Sequence, residues 1–125
     1  MSESNTVREV CYLIGADGEV LWCDDGTKHT LPDSRRRWEA IWTRRSELTE
    51  IAHTHPSGPL AFSYEDRTTM QAVWAALGHD IVFSVVTPAG MIRISAGREC
   101  ERVSEEPAWV KAIRFASGLR SENGR

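Results

Sequence analysis

Long apolar runs, a strong net charge and a cysteine framework are all missing from these 125 residues. No stretch approaches the roughly 20 apolar residues that a membrane span needs. The polar, acidic opening MSESNTVREV does not read as a signal peptide. Charge is nearly balanced, with 15 Lys+Arg against 18 Asp+Glu and a formal net of −3. Arg35-Arg36-Arg37 is the one basic cluster, a small footprint that argues against a protein built to grip nucleic acid or an anionic membrane. Cys11, Cys23 and Cys100 are odd in number, far apart and form no CxxC. That pattern speaks against a disulfide framework and against a cysteine-ligated metal site. The expectation is three reduced, mostly buried thiols in a cytoplasmic protein.

What remains is the composition of an ordinary globular chain, 41% hydrophobic and 26% charged, with five Trp and four His. The length suits one domain over residues 1–125, since domains commonly run roughly 100–150 residues. After a frayed start at 1–6, Val7 to Ile14 reads as a strand, and Glu19 to Cys23 as a second that completes a hairpin. The second strand ends at Asp24-Asp25-Gly26. Asp33 or Ser34 can cap a helix to about Arg45, with Trp38, Ile41 and Trp42 as its apolar stripe and its arginines solvated. Leu48 to His55 is strand-like and stops at Pro56-Ser57-Gly58-Pro59. A helix from Ser63 to Gly78 has Met70, Val73, Trp74 and Leu77 on its buried side. Strands follow at Ile81 to Thr87 and Met91 to Ser95, and Pro107 opens a terminal helix. Trp109, Ala112, Ile113 and Ala116 give that helix a face expected to pack on the sheet. The order β-β-α-β-α-β-β-α predicts a single-domain α/β fold, a β-sheet sandwiched by helices. The tryptophans are expected mainly in the core.

The informative stretch is His53-Thr54-His55-Pro56-Ser57-Gly58, continuing to Ser63 and Asp66. Strand alternation puts His53 and His55 on one face, within reach of one ion. They stand at the carboxyl end of their strand, where α/β folds build sites. Asp66 falls in the first turn of the next helix. Two imidazoles and a carboxylate leave the fourth tetrahedral position of zinc for water, the pattern of a catalytic zinc. Each half has an ordinary explanation on its own. Ser63-Tyr64-Glu65-Asp66 fits a capping box, and paired strand histidines can be structural. Their combination at fixed offsets across a strand–turn–helix boundary favours the functional reading.

His53-Thr54-His55, then seven residues, then Ser63 and Asp66 resembles the JAMM signature of JAB/MPN-domain metalloproteases. Glu9-Val10-Cys11-Tyr12-Leu13-Ile14-Gly15 is similar to the family's upstream Glu-bearing strand, with Tyr12 where Gly is usual. The likeness covers a core of about residues 7–96, followed by the C-terminal helix at about 107–118. It implies a mixed β-sheet of the cytidine-deaminase-like type, with Zn²⁺ held by His53, His55 and Asp66. It further implies Glu9 as general base and Ser63 as hydrogen-bond donor to the developing oxyanion.

Other acids can be weighed by position. Glu50 has the wrong parity, Glu47 lies about 20 Å from His53 along the strand, and Glu39 rides the exposed side of its helix. Glu9 is preferred over them, and Glu19, beyond a turn on the partner strand, stays open.

By the same resemblance the reaction is zinc-dependent hydrolysis of a peptide or isopeptide bond in the C-terminal tail of a ubiquitin-like protein. The tail would lie beside an edge strand. No nucleic-acid or membrane partner is expected. Because all five positions of the signature are filled, an inactive MPN-type scaffold is disfavoured. Two alternatives remain: a metallopeptidase for other peptides, and a non-catalytic binding module. Compactness after Pro56 leaves little room for docking insertions and favours the small prokaryotic JAB type.

Overall fold

A computed structural model describes residues 9–25, 35–55 and 59–118. Strand β1 (Val10–Gly15) is buried at every position, so both of its faces must be covered. It is hydrogen-bonded on one side to β2 (Val20–Asp25) and on the other to β3 (Leu48–Thr54). Strands β4 (Val82–Thr87), β5 (Gly90–Ile94) and the two-residue β6 (Glu101–Arg102) complete a sheet of order β2-β1-β3-β4-β5-β6. Only β3 and β4 are parallel neighbours, and the other four pairings are antiparallel. The sheet is therefore mixed.

Strand alternation sorts the core into two layers. Cys11, Leu13, Ile51, Phe83, Val85, Ile92 and Ile94 face α1 (Arg35–Thr43) and α2 (Tyr64–Leu77), meeting Ile41, Met70 and Val73. The intervening residues Val10, Tyr12, Ile14, Ala52, Val86 and Met91 face α3 (Trp109–Ser117), meeting Trp109, Val110 and Ile113. Each such Leu, Ile or Val stabilises the fold by about 1.5–3 kcal/mol relative to an exposed position. The terminal helix packs on the sheet, as its stripe suggested, through Trp109, Val110 and Ile113, while Ala112 is exposed and Ala116 half-buried.

Several expectations are corrected. Strand β2 runs on through Asp24 and Asp25, because pairing with Cys11 and Val10 overrides the weak strand preference of aspartate. Helix α1 stops at Thr43, short of Arg45, and residues 44–47 form a turn. Its stripe is rotated. Ile41 is buried and Trp38 half-buried, but Trp42 is 52% exposed beneath the Arg45 guanidinium, while Arg37 is buried. Trp22 and Trp74 are also only half-buried, which leaves Trp109 as the one buried tryptophan. The thiols are not mostly buried. Cys11 is, but Cys23 on the edge strand and Cys100 are exposed, and all three are free. Strand β6 had no sequence signal. Residues 1–8, His29, Asp33, Ser34, the Pro56-Ser57-Gly58 turn and the tail at 121–125 lie outside the described residues. Among the described residues, no helix is long and apolar enough to cross a membrane.

The topology brings several ends together. Strand β3 finishes at Thr54, β1 begins opposite it, and the first turn of α2 lies nearby in contact through Asp66. The site forms there.

Candidate metal centre

His53 is buried at the end of β3, and His55 follows one residue past the strand. The backbone N–H of His55 still donates to the Val86 carbonyl, so β4 holds it in line. Both imidazoles keep 11% of their side-chain surface exposed, and Asp66 keeps 17%. Their donor atoms converge. His53 Nε2 and His55 Nε2 are 3.1 Å apart. His53 Nε2 is 3.1 Å from Asp66 Oδ1, and His55 Nε2 is 3.2 Å from Asp66 Oδ2. Among the described residues, this is the group of His, Cys, Asp or Glu side chains that can hold a metal ion.

Helix α2 delivers the carboxylate through its own cap. Ser63 is the N-cap, with its hydroxyl accepting from the Asp66 N–H at 3.0 Å. In return the Ser63 N–H donates to Asp66 Oδ2 at 2.8 Å. The capping box and the site are thus one arrangement: the cap fixes the Asp66 rotamer and aims its oxygens at the histidines. The Ser63 hydroxyl accepts in this bond, so its own proton stays available to donate. At the far end, Gly78 adopts φ 75°, and its N–H closes onto the Trp74 carbonyl.

His55 is oriented from behind. Its Nδ1 lies 3.1 Å from the Pro59 carbonyl, an acceptor only. The neutral ring therefore carries its proton on Nδ1 and presents the Nε2 lone pair to the site. Burial opposes the charge on Asp66, but hydrogen bonds from His53 and His55 outweigh it and hold the carboxyl far below its usual range. Burial likewise works against protonated His55. The Asp66 hydrogen bond, the Pro59 carbonyl and the negative charges of Asp66 and Glu9 more than offset it, and its pKa rises.

Glu9 immediately precedes β1. The last register pair sets Cys11 opposite His53, and Glu9 precedes Cys11 by two residues, the spacing that returns a side chain to the same face of an extended chain. The negative charge of Glu9 is felt at His55. The other acids lie elsewhere. Glu19 adjoins Gly15 at the opposite end of the hairpin, and Glu47 is exposed in the turn before β3. Glu39 is exposed and paired with Arg35. Glu50 is buried on the α3 side, where Arg93 grips it with two hydrogen bonds of 2.9 and 3.0 Å.

Three neighbours had no sequence signal. Thr54, between the histidines, points to the other face and accepts a hydrogen bond from the Val10 N–H. Cys11 lies across from His53 with the buried Arg37 hydrogen-bonded to its thiol. The Pro59 carbonyl is backbone, invisible to any reading of side chains. A hollow of about 590 Å³ bordered by Arg93, Arg98, Glu101 and Arg102 shares no residue with the centre.

No protein-family model matches the sequence, and no curated protein matches it.

Proposed function

We propose that the chain is a zinc-dependent hydrolase of peptide or isopeptide bonds, resembling JAB/MPN metalloproteases, that acts on the C-terminal tail of a ubiquitin-like protein. The observation carrying this reading is the convergence of His53, His55 and Asp66, with the negative charge of Glu9 felt at His55. The donor set fits the ion. Tetrahedral zinc with ligands about 2.0–2.2 Å away spaces them about 3.3–3.6 Å apart. The two imidazole nitrogens lie 3.1 Å apart and each meets a different oxygen of the Asp66 carboxylate at 3.1 to 3.2 Å, so the three side chains are close enough to share one ion. Two nitrogens and one carboxylate oxygen also match the donor types of catalytic zinc and leave a position open.

When bound, zinc would supply Lewis acidity toward a carbonyl and lower the pKa of a coordinated water to roughly 7. The remaining work falls to the chain. Asp66 and the two histidines hold the charge, with the Pro59 carbonyl fixing the His55 tautomer. The Glu9 carboxylate takes a proton from the attacking water and returns it to the leaving amine nitrogen. The Ser63 hydroxyl donates to the oxygen on which charge develops, a contribution of about 2.7–4 kcal/mol where such donors have been deleted. An extended tail is received by strand addition at the sheet edge, and β2 offers six residues there against two in β6.

The test joins metal content to turnover. Protein purified without chelators is assayed for zinc by elemental analysis, then incubated with ubiquitin-like proteins bearing a C-terminal amide-linked extension. About one zinc per chain and cleavage abolished by chelation are expected. Zinc near zero would point instead to a non-catalytic binding module. A zinc-replete chain that cleaves other peptides but no ubiquitin-like fusion would make it a metallopeptidase of different substrate class.

A further inference from the structure

The last residue pair of the β1–β3 ladder is Cys11 with His53. One step further, where a Thr54 backbone carbonyl would ordinarily take the Val10 N–H, the Thr54 hydroxyl takes it at 3.0 Å. Thr54 has no exposed surface and Val10 is 1% exposed, so this bond is shielded from water. The nitrogen involved belongs to the peptide unit joining Glu9 to Val10. Holding that unit fixes the plane from which the Glu9 side chain departs, at the point where the regular ladder has ended. Thr54 sits between His53 and His55 in sequence but turns its side chain to the α3 face, so the metal ligands and the clamp alternate along a single strand.

We infer that Thr54 is a positioning residue. Through the Val10 N–H it aims the Glu9 carboxylate toward the metal side of the sheet, while taking no part in holding the ion. The inference rests on the reading of Glu9 as the general base. It accounts for a hydroxyl-bearing residue in a fully buried position between two ligands. Without that hydroxyl, a buried N–H loses its partner and the first residues of β1 are free to drift. A drift of about 1 Å in a catalytic group is enough to cost on the order of 100-fold in rate.

The experiment compares zinc-loaded full-length wild type with Thr54→Val, which keeps the shape and loses the hydroxyl, and Thr54→Ser, which keeps the hydroxyl. For Thr54→Val, kcat for tail-amide cleavage should fall about 10–100-fold. Its KM and zinc per chain should stay unchanged, and hydrogen exchange at the Val10 amide should quicken. Thr54→Ser should restore all of these to near wild-type values. A Thr54→Val enzyme with wild-type kcat overturns the inference, and so does one that loses its zinc, since Thr54 would then support the ligands. If Thr54→Val fails to fold, the Val10 amide of the wild type decides, and rapid exchange there removes the clamp. If the wild type cleaves no amide at all, the function proposed above has failed on its own account. The clamp is then judged from crystal structures of zinc-loaded wild type and Thr54→Val. A displaced Glu9 carboxylate in the variant supports it, and superimposable carboxylates refute it.

Discussion

His55 is pulled in two directions. Burial favours its neutral form, while the Asp66 hydrogen bond, the Pro59 carbonyl and the nearby carboxylates favour the cation and prevail. The folded pKa therefore lies above the ordinary 6.5. In metal-free protein this pair stabilises the fold fully below the unfolded histidine pKa, and that stability is lost as pH rises through the raised folded value. Asp66 behaves oppositely. Its folded pKa is depressed, so its contribution is present above the unfolded value of 3.8 and lost only in strong acid. Protons and metal compete for His55, so metal affinity should weaken as pH falls through the raised pKa. NMR titration of the metal-free protein should show His55 above 6.5 in the wild type and lower in Asp66→Asn. An unchanged His55 would remove Asp66 as the cause.

A second residue-scale prediction concerns the thiols. Burial pushes Cys11 up to about 12 against the opposing Arg37, and Cys23 and Cys100 are exposed. A thiol reagent at pH 8 should modify two cysteines in the folded protein and the third only after unfolding. The convergence of His53, His55 and Asp66 was legible because strand alternation sets the two histidines on one face and the next helix begins at Ser63. Arg37 was not. Arginine on a helix is ordinarily solvated, and the burial of this one beside Cys11 shows only in the tertiary structure. Thr54 escaped notice for a related reason, since strand parity places it on the face opposite the histidines.

Among the elements, strands and helices with long apolar stripes were readable and short or polar ones were not. Met70 and Val73 mark α2 with helical spacing, and Ser63 and Gly78 bracket it. Strand β6 has two residues, Glu101 and Arg102, both exposed, and exists because β5 offers a partner. No periodicity can be seen over that length. In α1 the Trp38, Ile41 and Trp42 spacing located the helix but misjudged its rotation, since the Arg45 guanidinium shields one face of Trp42 at 3.9 Å and leaves the ring outside. Helix α3 is tied to the sheet through Trp109, Val110 and Ile113, the last fully buried. Ile113→Ala should destabilise the protein by about 2–5 kcal/mol, read as a lower denaturant midpoint with an unchanged slope. A change under 0.5 kcal/mol would mean α3 is not part of the cooperative fold.

Over the whole molecule, the sheet gathers at one end what the chain separates widely: Glu9 before β1, the histidines closing β3, and Asp66 in the first turn of α2. The cap that starts α2 also orients the Asp66 carboxylate toward the histidines. Stability and chemistry therefore share the same bonds. Mixed topology makes this possible, because β1 runs antiparallel to β3 and brings its amino end to the carboxyl end of β3. The most direct test of this account is the amide-cleavage rate of a Glu9→Gln variant verified to hold as much zinc as the wild type. Zinc should be retained and turnover lowered by about 100-fold or more. A zinc-replete Glu9→Gln enzyme working at the wild-type rate would contradict it.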